Sequence, residues 1–175
     1  MEILKPMQGT FPDYLNNYIK LIPEGNIMEL MLIKHYETID LITSVDEETQ
    51  HYRYEKDKWN IKEIIQHLID CERIFAYRAL CIARGEKQSL PGFDENTYAT
   101  NSHATRRNMN DLAREFSVLR ASSIELFKSF SNNELDLTGL ANGKFVTVRA
   151  LLFATLGHEI HHMNIIEERY LKDMK

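Results

Sequence analysis

The chain is poor in helix-breaking residues and in cross-links. Glycine and proline number only 7 and 4 of 175 residues, about half their average usage. That scarcity argues against a turn-rich β fold and favours long helices. The two cysteines, Cys71 and Cys81, fall ten residues apart in one helical pattern. At 1.5 Å of rise per residue they stand about 15 Å apart, beyond disulfide reach. No apolar run approaches the roughly 20 residues that span a bilayer. The opening Met1–Pro6 lacks the apolar core and small-residue cleavage site of a secretory signal. These absences predict a cytoplasmic, thiol-reduced protein with no membrane partner. A basic excess is also missing: 21 Lys and Arg stand against 26 Asp and Glu, for a net charge of −5. Such a surface does not hold a phosphate backbone, which argues against a nucleic-acid partner. The charges are dispersed, so neither an acidic tail nor a basic arm is present.

What is present fits one domain over residues 1–175, with a lead-in segment over about 1–23. Hydrophobic residues make up 43% and charged residues 27%, and a core of this size buries about two-thirds of the unfolded chain's surface. Four helical patterns follow in order. The first runs from about Gly25 to Ser44, after a short lead-in helix within Phe11–Ile22 that Pro23 ends. Asp46–Lys58 reads as irregular, with one helical turn at Asp46–Gln50. The second helix opens at Asn60, where Asn60 and Glu63 match a capping box. Ile61, Ile64, Ile65, Leu68, Phe75 and Ala79 then recur on one face to about Arg84. After the Ser89–Asn96 loop, the third helix covers about Arg107–Phe130. Ser131–Lys144 reads as a polar connection, and the fourth helix, capped by Thr147, reaches about Leu171. Four such helices predict an all-α four-helix bundle.

The histidines carry the functional signal. His35, His51 and His103 stand alone and read as surface or satisfied residues. His158 and His162 are spaced i, i+4, so they leave the same face of the fourth helix one turn apart. At 100° per residue from Val148 they fall at about 280° and about 320°, inside the stripe of Leu151, Leu152, Thr155 and Ile166. His161 lies on its edge. Two imidazoles aimed into a core need partners, and a divalent metal supplies one for both. His67, on the flank of the second helix's apolar face, is the candidate third ligand. Three imidazoles and an open position describe a catalytic site more than a closed structural one. Cys71, one turn beyond His67, could contribute a thiolate but reads first as a packed cysteine. Imidazoles suit zinc, nickel, iron and manganese alike.

Three segments resemble the DinB/YfiT-like family of metal-dependent proteins, in its DinB-like branch. They are Trp59–Asp70 with Glu72-Arg73, Leu90–Asn96, and Gly157–His162 with Glu168-Arg169-Tyr170. Their order and spacing fit from about Tyr18 to Leu171. The resemblance implies an up-down-down-up four-helix bundle, commonly a homodimer, with a divalent metal on the positions of His67, His158 and His162. Characterised relatives include thiol S-transferases and isomerases that use bacillithiol, mycothiol or glutathione.

Three functional expectations follow. The first is a metal-dependent transferase joining a low-molecular-weight thiol, such as bacillithiol, to a small electrophilic substrate, with Trp59 and Phe93 lining the pocket. The second is a non-catalytic metal-binding or stress-response bundle whose metal is structural. The third is a plain helical interaction module with no metal. His158-Glu159-Ile160-His161-His162 also fits the metallopeptidase pattern H-E-x-x-H, with Glu159 as base. Only 13 residues follow His162, too few for a distant downstream ligand, and no strands upstream suggest the sheet of such an enzyme. Glu159 reads instead as a group orienting an imidazole or loop, or as a partner of Arg149 or Arg169.

Overall fold

The computed structural model describes residues 3–172, so the first two residues of the predicted lead-in and the last three of the chain lie outside the described residues. A 3-10 turn at Asp13–Leu15 enters a single helical turn, α1 (Asn16–Ile19). Then come α2 (Ile27–Ser44), α3 (Glu47–His51), α4 (Ile61–Ala83) and α5 (Glu95–Ser102). A 3-10 turn at Ala104–Arg106 precedes α6 (Met109–Lys128) and the short α7 (Asn132–Leu135). The strands β1 (Thr138–Ala141) and β2 (Lys144–Thr147) lead into α8 (Val148–Arg169). No described helix is long and apolar enough to cross a membrane.

Helices α2, α4, α6 and α8 form the bundle; α4 packs between α8 and α6, and α2 closes the ring against the same two. Their directions follow from two apolar clusters. One gathers Ile42 from the end of α2, Ile61 to Ile69 from the start of α4, Met109 to Phe116 from the start of α6, and Ile166 from the end of α8. The other gathers Ile27 and Met31, Phe75 to Ala83, Ile124 and Phe127, and Val148 to Leu156. Helices α2 and α8 therefore run one way, and α4 and α6 run the other, which is the up-down-down-up topology. Because α4 and α6 begin at the same end, residues 84–108 must travel the length of the bundle, and α5 packs on α4 along that route.

The caps agree with the sequence. Asn60 Oδ1 accepts from the Glu63 amide at 3.0 Å and Glu63 returns the bond to the Asn60 amide at 2.9 Å. Thr147 Oγ1 accepts from the Ala150 amide. Two readings change. The predicted polar connection Ser131–Lys144 contains α7 and most of a β-hairpin turning at Asn142-Gly143. Both turn residues have positive φ, 51° and 71°, as a type I′ turn requires. Helix α5 starts within the predicted Ser89–Asn96 loop and extends into the stretch beyond it, for which the sequence predicts no element; Asp94 caps it on the Thr97 amide. The buried stripe of α2 is Ile27, Met31, His35, Thr38 and Ile42, whereas Tyr36 is 65% exposed.

A polar layer crosses the bundle between the two clusters. Arg120, 1% exposed, donates to Glu72 at 2.8–3.2 Å, to Glu159 at 2.7 Å and to the Met31 carbonyl at 3.1 Å. Thr38 donates to the other Glu159 oxygen at 2.8 Å. Burial works against the Arg120 charge, but Glu159 and Glu72 outweigh it and hold the guanidinium protonated. One long side chain thus ties together all four helices.

Candidate metal centre

The α4–α8 seam brings the rings of His67, His158 and His162 within 4.6–4.9 Å of one another, centroid to centroid. His67 comes from α4, and His158 and His162 from consecutive turns of α8. His67 and His158 are buried, and His162 is half-buried toward a cavity. His158 Nε2 stands 3.1 Å from His67 Nε2 and 3.1 Å from His162 Nε2. Cys71 Sγ lies 3.6 Å from both ring nitrogens of His67. The potential ligand atoms of His67, Cys71 and His158 all fall within 4.8 Å of one another. Cys71 is therefore part of the donor cluster as well as of the core, a closer involvement than the sequence suggests.

Burial pushes every imidazole here toward its neutral form. His67 is held down to about 4. His158 and His162 lie well below the ordinary value, first through burial and then through the neighbouring imidazoles. Burial pushes the Cys71 thiol up. These groups would meet a cation with free nitrogen lone pairs and a protonated sulfur.

Donor chemistry tests whether a cation fits. A neutral imidazole nitrogen has either one proton to give or one lone pair to receive. His158 Nε2 has two nitrogen neighbours at 3.1 Å, so it cannot serve both with full hydrogen bonds. A single cation can be shared by all three. Metal–nitrogen bonds of about 2.0–2.1 Å set adjacent ligands about 3.0–3.4 Å apart, which matches the two separations from His158 Nε2.

Rings brace the cluster. Trp59 packs on His67 and His162, and Tyr18 lies edge-on to His158 and His161. Tyr18 can approach because position 157 is glycine: a Cβ there would sit inside the van der Waals envelope of the Tyr18 carbonyl. The cluster opens into a cavity of about 350 Å³, at the small end of ligand sites. Tyr14, Tyr18, Trp59, Phe75 and Phe93 supply aromatic walls, with Arg78, Asn96, Asn142 and His161 among the polar lining. The Leu90–Asn96 loop is held in place by the hairpin. Leu90 donates to the Leu140 carbonyl at 2.9 Å and accepts from the Asn142 amide at 2.8 Å.

Trp59 and Phe93 line the cavity as the sequence suggests. Phe75, read only as a core residue, and Arg78, not singled out, also line the cavity; they sit 8 and 11 residues after His67 on the same face of α4. His35 is buried rather than exposed, with Nε2 3.1 Å from Ser117 Oγ. His51 contacts Lys62 on α4 at 3.2 Å, and His103 is exposed beyond α5. None of the three reaches the cluster. Glu159 contacts neither an imidazole, Arg149 nor Arg169. Both its oxygens are taken, by Arg120 and by Thr38.

Residues 34–166 match the sequence profile of the DinB superfamily. No curated protein matches the chain. Among solved structures, the chain is similar to YfiT from Bacillus subtilis, described as a probable metal-dependent hydrolase with an unusual four-helix bundle topology. The TM-score is 0.73 at 14% identity, covering 98% of this chain and 93% of that one. At that identity the likeness establishes the fold.

Proposed function

The chain belongs to the DinB superfamily, and from that premise we propose that His67, His158 and His162 hold a divalent metal ion and that the adjoining cavity is the site of metal-dependent chemistry on a small molecule. The observation that carries this reading is the position of His158 Nε2, 3.1 Å from two other imidazole nitrogens. Zinc, nickel, iron and manganese all suit such donors. A bound ion supplies Lewis acidity, lowering the pKa of a thiol or water at its open position. The chain's residues do the rest. Trp59 and Tyr18 fix the imidazole rings, and the aromatic walls exclude water from the reacting groups.

The reaction we assign is transfer of a low-molecular-weight thiol, such as bacillithiol, to a small electrophilic substrate. The likeness to YfiT favours a second reading, hydrolysis, in which water takes the place of the thiol. A purely structural metal is the third. We further propose a homodimer in the cytoplasm, with Leu32, Ile33 and Tyr36, exposed on α2, contributing an apolar stripe to a second copy.

The test is turnover by metal-loaded protein of a thiol with a bimane electrophile, and of p-nitrophenyl acetate without thiol. Each is run with and without a chelator. Chelator-sensitive thiol consumption supports the transferase, and chelator-sensitive ester cleavage alone supports the hydrolase. Metal uptake with neither activity leaves the structural reading.

A further inference from the structure

Among the described residues Arg78 is the only Lys or Arg that lines the cavity, and its charge meets no counter-charge. Only 6% of its surface is exposed, and buried charges are normally paired. Arg120 has two carboxylates, while Arg73 and Arg107 share Glu115. Arg78 has none: among the described residues no carboxylate comes within 4.0 Å of it, including Glu95, which also lines the cavity. Its single polar contact is Nη2 donating to the Pro91 carbonyl at 2.8 Å, and its guanidinium stands 5.9 Å from the Phe93 ring centre. A guanidinium has five N–H donors, so most of its capacity remains free at a cavity wall.

Its placement relative to the imidazoles is ordered. His67, Cys71, Phe75 and Arg78 form one stripe of α4, all lining the same cavity. The backbone rise from His67 to Arg78 is about 16 Å, and long helical side chains lean back toward the helix N terminus, which shortens the gap. The cavity thus has nitrogen donors at one end, a guanidinium at the other, and aromatic rings between.

We propose that Arg78 is the binding residue for a carboxylate on the substrate, so that the natural ligand is a small monocarboxylate with an apolar body and its reacting group at the far end, toward the imidazoles. A carboxylate accepts two parallel N–H bonds from one guanidinium. A phosphate dianion fits less well, because no second Lys or Arg lines the cavity and Glu95 does. The position of the reacting group rests on the metal-site reading; the carboxylate subsite stands without it.

The experiment uses zinc-loaded protein with zinc content measured in parallel, and Trp59 fluorescence as the readout, since Trp59 is the only tryptophan and lines the cavity. Probes are phenylacetate, 3-phenylpropionate and hexanoate, each beside its primary amide. At least one acid is expected to bind about tenfold or more tighter than its amide. Arg78→Gln should remove that preference, leave amide binding and zinc content unchanged, and Arg78→Lys should restore part of it. Three results would overturn the proposal: no acid preferred over its amide, an equal loss of acid and amide binding in Arg78→Gln, or displacement of the acids by a lower concentration of inorganic phosphate. Acid preference in protein that takes up no zinc would uphold the Arg78 subsite while removing the metal reading.

Discussion

His158 and Glu159 are adjacent in the chain, about 100° apart around α8, and meet different neighbours. His158 places Nε2 3.1 Å from His67 Nε2, while Glu159 accepts from Arg120 at 2.7 Å. The H-E-x-x-H pattern therefore does not form a peptidase site here, because its glutamate is occupied in the polar layer. One helix thus contributes both to the histidine cluster and to the buried ion pair of the polar layer.

The polar layer should be a stability element that leaves metal binding intact. Arg120→Ala strands two buried carboxylates, and removing one partner of a buried pair typically costs about 3–5 kcal/mol. Urea denaturation should show a loss of that order, with metal content per folded chain retained. A loss below about 1 kcal/mol would contradict the assignment.

Cys71 lies in the donor cluster, yet its thiol is held protonated by burial, and in the proposed ligand set the three imidazoles suffice. Cys71→Ala should retain metal at wild-type stoichiometry. Loss of metal in this variant would replace His162 by Cys71 in the set.

Gly157→Ala sets helix propensity against packing. Alanine gains about 1 kcal/mol in a helix interior, but the new Cβ would meet the Tyr18 backbone, which cannot rotate away. Overpacking of this kind costs about 1–3 kcal/mol. The melting temperature should fall, and a rise would show that α1 yields freely.

His35 should impart an acid sensitivity of its own. Burial and then Arg120 hold its pKa down to about 4, against about 6.5 in the unfolded chain. Above about pH 6.5 neither state is protonated. Between about 6.5 and 4 the unfolded chain binds a proton that the folded chain refuses, so stability falls as pH falls. His35→Gln should flatten that slope relative to wild type, measured by urea midpoints across pH 4–7. An identical slope in both proteins would place the titration elsewhere.

The bundle and its caps were legible because amphipathic period and capping chemistry are local. Asn60 with Glu63 and Thr147 at the start of α8 announce their helices within a few residues. The hairpin was missed although Asn142-Gly143 is a strong turn signal, because its strands are only four residues long. Helix α5 was missed because only Ala99 of its eight residues is buried, leaving no stripe to read. Face and spacing singled out His67, His158 and His162, whose rings lie within 4.9 Å of one another, centroid to centroid. The roles of Arg78, Arg120 and Glu72 were not legible, since charged residues on an apolar face reveal their role only once the facing helices are known.

Metal content by mass spectrometry, on protein purified without affinity tag or chelator, tests the central claim most directly. Wild type should carry about one divalent ion per chain, and both His67→Ala and the His158→Ala/His162→Ala double variant should lose it while remaining helical. Wild type that carries no metal and takes up neither zinc nor nickel would contradict the account.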